Sequence, residues 1–163
     1  DGIGGGLDRD RALEVMRDSR LGTYGTLALI MVLSTKAVSL ALLPVGFIVA
    51  TLMAAHGLSR LSSVLVIATS TYVRAEGTGK PVAQRVSPVS LIMLAMTGAA
   101  IVAVWCWLLP LMALACAVFG LVVGHGAMRL FFEPKLGGYT GDTLGAVQQV
   151  SELGFYLGLL AWL

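Results

Sequence analysis

The chain has 163 residues, 57% of them hydrophobic and 12% charged, with a formal net charge of +2. A soluble domain carries about a quarter of its residues as charges. Several stretches here are apolar for the roughly 20 residues that a bilayer crossing needs, so a soluble globular fold is excluded. The small charge excess and the lack of any basic run also exclude nucleic acid as a partner.

The first 20 residues are polar. After Gly4-Gly5-Gly6, Asp8 is placed to cap a short amphipathic helix whose apolar stripe is Leu13 and Met16. Leu21 to Leu43 is the first expected span, broken only by Lys36. Pro44 and Gly46 turn the chain. Val45 to Val73 is the second span; longer than a bilayer requires, it is expected to tilt or break near His56-Gly57, and it holds Arg60. A polar loop spans 74–87, and Ser87-Pro88 reads as an N-cap followed by proline in the first helical position. Val89 to Leu109 and Leu111 to Phe132 form a hairpin hinged at Pro110. The loop 133–142 and a last span, Thr143 to Leu163, complete the chain.

The expectation is an all-α polytopic membrane bundle with about five transmembrane helices. It forms one domain over 1–163, with 1–20 an acidic cytoplasmic segment carrying the amphipathic helix. The amino-terminal segment and the 74–87 and 133–142 loops share one side and hold Arg9, Arg11, Arg17, Arg20, Arg74, Lys80, Arg85 and Lys135; the 44–46 turn and the Pro110 hinge hold no charge. The positive-inside rule puts the charged side in the cytoplasm. Everything capable of chemistry then faces inward. Glycines within the spans permit close helix packing, and with it a homo-oligomer in the surrounding membrane lipid.

Several polar residues invite two readings. Asp10, Glu14 and Asp18, spaced four apart, form a column on one helical face, where like charges repel. Arg11, Arg17 and Arg20 offer one means of neutralising them; a divalent cation with hard oxygen ligands offers another. Lys36, Arg60 and Glu152 lie within spans, where a charge costs about 2.5 kcal/mol or more on insertion scales. Lys36 either snorkels outward or finds a partner. Arg60 either pairs with Glu152 or faces a polar cavity as a phosphate clamp. Asp142, in "TGDT", suits an N-cap; it also suits a metal or a ligand hydroxyl, leaving the glycine amides and Thr140 to meet an anion. His56 and His125 read as packed neutral side chains. Cys106 and Cys116 lack metal-ligand spacing, and no Walker, HExxH or serine-elbow motif is present.

Two stretches together, "RALEVMRDSRLGTYG" behind Asp1-Gly2 and "GGYTGDTLGA" from Gly137, resemble the bacterial cobalamin synthases, the adenosylcobinamide-GDP ribazoletransferases. Ser59-Arg60 and "YVRAEGTG" from Tyr72 fit the middle of that family. The resemblance implies an inner-membrane enzyme, facing the cytoplasm, that joins adenosylcobinamide-GDP to α-ribazole or its 5′-phosphate with Mg²⁺ and releases GMP. It makes Asp1 and Asp18 metal positions, Asp18 also the catalytic base, and Arg20, Arg60, Arg74, Lys80, Thr140 and Asp142 substrate contacts. Only the last Asp-Gly of the family's D-G-L-A-D-x-x-D-G motif is present, as Asp1-Gly2, so further residues are expected upstream of a chain that opens on Asp rather than Met. Two other readings compete. A CDP-alcohol phosphatidyltransferase would need an acid four residues after Asp18, where Gly22 stands. A non-catalytic transport subunit would need mid-span breaks, and no proline provides one.

Overall fold

The computed structural model describes residues 1–5, 8–18, 20–74 and 87–163. Among the described residues, six helices follow in order: α1 (Arg9–Val15), α2 (Thr23–Leu42), α3 (Val45–Thr69), α4 (Pro88–Leu108), α5 (Leu111–Leu136) and α6 (Gly141–Trp162). Among the described residues there is no strand, only an isolated parallel bridge between Tyr72 and Tyr139. Helices α2 to α5 are each long and apolar enough to cross a membrane. Helix α6 matches them in length at 22 residues but carries Gln148, Gln149, Ser151 and Glu152. Ser151 and Glu152 among them are buried, because α6 packs against α2, α3 and α5. The chain is a multi-pass membrane bundle built around α6.

Local signals set most helix ends. Asp8 caps α1 by accepting from Arg11 N at 2.9 Å, and Ser87 caps α4 by accepting from Ser90 N at 3.1 Å. Pro44 and Pro110 stand at the starts of α3 and α5, where a missing N–H costs no helical bond. Helix α3 runs unbroken through His56-Gly57, so the expected break is absent. The expected end of α5 at Phe132 moves to Leu136. Pro134 is accommodated in the final turn, and Gly137, left-handed at φ 71°, stops the helix. The 133–142 loop therefore shrinks to 137–140, and α6 begins earlier than Thr143.

The interior has three levels. One apolar cluster joins Leu43, Ala54, Trp105, Leu114, Phe155 and Leu159. A second, toward the charged end, joins Ile3, Ala12, Val66, Phe132, Leu136, Tyr139 and Val147, and so binds the amino-terminal segment to the bundle. Between them lies a polar layer. Ser62 Oγ meets His125 Nδ1 at 2.7 Å and Ser151 Oγ at 3.1 Å. Lys36 Nζ donates to Gln149 Oε1 at 2.6 Å and pairs with Glu152 at 3.1 Å, and Tyr156 donates to Glu152 at 2.7 Å. Charges inside a bilayer persist only when paired or solvated, and here Lys36 and Glu152 pair with each other. Lys36 does not snorkel outward, and Glu152 does not pair with Arg60.

Candidate active site

At the charged end, the amino-terminal segment folds over the bundle and is held by three basic side chains. Lys135 Nζ donates to Ile3 O at 2.7 Å, Arg9 Nε to Leu136 O at 2.8 Å, and Arg74 Nη2 to Met16 O at 2.9 Å. Two of these carbonyls close helices, α5 at Leu136 and α1 at Met16, where a cation is favoured by the helix dipole. Beside this attachment the loops after α3 and α5 are pinned together. Tyr139 N donates to Thr71 O at 2.8 Å and Val73 N to Tyr139 O at 3.1 Å. The Tyr72 and Tyr139 rings meet edge to face at 5.5 Å. Burial, with Tyr72 adding to it, raises the Tyr139 hydroxyl above its ordinary pKa, so Tyr139 stays protonated as a packed group.

Beneath the segment is a cavity of about 540 Å³. Asp1, Asp18, Arg20 and Asp142 line it together with Thr143, and Met128, Phe131 and Ala146 give it an apolar wall. Asp1 accepts from Gly22 N and from Gly25 N, each at 2.8 Å, one on each carboxylate oxygen. These are amides at the α2 N-terminus, where Gly22 has no side chain of its own to cap with. A Cβ at either glycine would meet an Asp1 carboxylate oxygen at 2.5 Å, so the carboxylate reaches the helix end only because both positions are glycine.

Asp18 does not continue α1. The helix ends at Val15, so the expected Asp10–Glu14–Asp18 column does not form. Glu14 pairs with Arg11. Asp18 accepts from Arg20 Nη2 at 2.7 Å, from its Nε at 2.9 Å and from its backbone N at 3.0 Å. These bonds hold the Asp18 carboxyl below its ordinary pKa and raise that of Arg20, so both are charged at neutral pH. Asp142 lies in the first turn of α6 and pairs with Arg74 at 2.6 Å. The N-cap expected of it is Thr140, which forms a capping box with Thr143.

The cavity thus brings together Asp1, Asp18, Arg20 and Asp142, with Arg74 joined to it through Asp142. Thr140 is fully buried and its hydroxyl accepts from Thr143 N, so it shapes the helix start instead of presenting itself to an anion. Arg60 is exposed on α3, donating to His56 Nε2 at 3.1 Å, and is not among the cavity residues. Lys80 lies outside the described residues.

A family model described as cobalamin-5-phosphate synthase matches residues 1–160. The chain belongs to the cobalamin-5-phosphate synthase family. Relatives named adenosylcobinamide-GDP ribazoletransferase include one from Leptothrix cholodnii, 43% identical over 99% of the chain and 63% of the relative. One from Ralstonia pickettii is 40% identical over 100% and 63%, and one from Vibrio cholerae O395 is 38% identical over 100% and 62%. The chain therefore spans a little under two thirds of the length of these relatives. No solved structure matches it.

No three His, Cys, Asp or Glu side chains among the described residues converge to hold a metal ion. Two carboxylates, Asp1 and Asp18, do line the same cavity. A hard divalent ion such as Mg²⁺ usually keeps several waters and takes one or two carboxylates plus substrate phosphates. The donor chemistry of this pair suits that partial set.

Proposed function

We propose that the cavity is where adenosylcobinamide-GDP is joined to α-ribazole or its 5′-phosphate with release of GMP, the ribazole transfer that completes cobalamin. The observation that carries this reading is the exposed Asp18–Arg20 pair at the rim of a cavity that also presents Asp1 and Asp142. In this reaction an acceptor hydroxyl oxygen bonds to the cobinamide-linked phosphorus of the pyrophosphate. The P–O bond to GMP breaks, GMP departs with the bridging oxygen, and the hydroxyl proton must go to a base.

The pair suits both ends of that displacement. Arg20 is 89% exposed, free to swing from Asp18 to the pyrophosphate, where its planar fork matches two phosphate oxygens. While Arg20 is bound, the Asp18 carboxyl sits below its usual pKa and is a poor base. When the guanidinium moves to phosphate, Asp18 regains basicity and accepts the hydroxyl proton. Asp142, steadied by Arg74, offers its carboxylate to a ligand hydroxyl, and Met128 and Phe131 give the aromatic base an apolar wall. Mg²⁺, held by Asp1 together with the phosphates and water, would offset the charge of the pyrophosphate and leave Asp18 free to act as the base.

The cavity faces the cytoplasm of the inner membrane in this reading. Arg9, Arg11, Arg17, Arg20, Arg74 and Lys135 lie at its end of the bundle, while the turns at Leu43–Pro44 and Leu109–Pro110 bear no charge. Asp18→Asn in the full-length protein is expected to lower GMP release by about 10²-fold or more with insertion and expression unchanged. Retained turnover would remove Asp18 from the mechanism.

A further inference from the structure

We infer that the buried Lys36–Glu152 pair sets the width of the cavity, making both residues positioning residues for the reaction proposed above, on which this inference rests. Helix α2 supplies one wall, through Gly25 and Ala28, and α6 supplies another, through Asp142, Thr143 and Ala146. How these two helices are fixed to each other therefore decides the space between them.

Helix α6 is held to α5 along its length. Gly120, Gly124, Gly154 and Gly158 bring the two backbones into direct contact, and apolar clusters close around α6 above and below. Helix α2 reaches the apolar core only at its far end, through Leu40 and Leu43. Its only buried residues are Lys36 and Ser39, and none of Thr23 to Thr35 is buried. At its upper end the amides of Gly22 and Gly25 hold the Asp1 carboxylate. Lower down the tie to α6 is polar: Lys36 Nζ reaches Gln149 Oε1 at 2.6 Å and Glu152 Oε2 at 3.1 Å, and Tyr156 fixes the other Glu152 oxygen at 2.7 Å.

The tie sits at matching depth on both helices. Lys36 is 11 residues along α2 from Gly25, and Glu152 is 10 residues along α6 from Asp142. At roughly 1.5 Å per residue, each lies about 15 Å from the cavity wall it supports. Apolar side chains could slide past one another at this contact with little loss. A charged pair shielded to about 11% side-chain exposure admits one register, because a slip leaves two unpaired charges within the bilayer.

The test uses the full-length protein in proteoliposomes, freed of native cysteines and spin-labelled through Ala28→Cys and Ala146→Cys. Lys36→Met and Glu152→Gln should each broaden or lengthen the interlabel distance, by up to about 5 Å for a slip of one helical turn. In the unlabelled protein the same changes should lower kcat for GMP release by about 10²-fold, as expected for misplaced reacting groups. Lys36→Arg, which keeps the charge, should restore both readouts. Should Lys36→Met fail to insert, Lys36→Gln reads the same loss of charge with a side chain that still hydrogen-bonds. An unchanged distance in the charge-neutral variants overturns the inference, and so does a changed distance with full turnover. A wild-type protein without transferase activity overturns the proposed reaction instead, and the distance measurement alone then decides whether the pair holds the cavity wall.

Discussion

Replacing Gly154 by alanine adds one methyl group at the point where α5 and α6 touch. A Cβ built there falls well under 3.0 Å from the Gly120 carbonyl, on a backbone that cannot rotate away, while ordinary contact begins near 3.4 Å. The helices would have to part by roughly 1 Å, and overpacking of this kind costs about 1–3 kcal/mol. The partition would also reach the cavity, since α5 supplies Met128 and Phe131 and α6 supplies Asp142 and Ala146. Gly145, on the same helix, provides the internal comparison, because a Cβ there meets nothing within 4 Å. There alanine should be neutral or stabilise by up to about 1 kcal/mol through helix propensity. Thermal unfolding of the two variants in detergent, followed by circular dichroism, gives the difference directly. If Gly154→Ala unfolds at the same temperature as Gly145→Ala, the close approach of α5 and α6 is not what holds them together.

Two further substitutions test the charged end. Gly138→Ala should drive a methyl group into Thr71 O, break the pair of backbone hydrogen bonds between Tyr139 and residues 71 and 73, and cost about 2 kcal/mol at about 1 kcal/mol per bond. Faster hydrogen exchange at Tyr139 N and Val73 N would report it, and unchanged protection would count against the pinned loops. Arg20→Gln should let the Asp18 carboxyl rise toward its ordinary value of 3.8. Because the partner depresses that pKa, the Asp18 charge in the wild type is present above the depressed value and is lost as pH falls through it; the variant should lose it at higher pH. Titration of the carboxyl ¹³C shift decides this, and identical curves would mean that Arg20 does not hold Asp18 in solution.

Most of the helical layout was legible because its signals are local. Asp8, Ser87, Pro44 and Pro110 mark boundaries through chemistry confined to one turn. The pairing of intramembrane charges was not legible. Lys36 and Arg60 are both cations near mid-span, and composition cannot say which of α2 and α3 presents its cation to Glu152, 116 residues beyond Lys36. Packing decides it: α6 contacts both helices, but only Lys36 points at it, while Arg60 turns to His56 one turn before it. The Asp10–Glu14–Asp18 spacing failed for a related reason. It presumes that α1 continues, yet the Met16 carbonyl is taken by Arg74 from a distant loop, and the chain turns toward Arg20.

The glycine-rich stretch from Gly137 to Ala146 was legible in outline and not in detail. Asp142 stood out as a candidate cap, but Thr140 and Thr143, three residues apart, make the box and leave Asp142 to Arg74. Gly22 and Gly25 also carried a signal that spacing alone did not expose. Two glycines at a helix start without a capping side chain leave room for a carboxylate from elsewhere, and Asp1 fills it. The cavity residues Asp1, Asp18, Arg20 and Asp142 came from two separate stretches of sequence, and the fold brings both to one end of the bundle.

Ribazole transfer at the cavity is tested most directly by GMP release by the full-length protein in proteoliposomes given adenosylcobinamide-GDP, with and without α-ribazole. One GMP is expected for each ribazole joined, with little release when the acceptor is withheld. No GMP with both substrates present, or release at the same rate without ribazole, would contradict it.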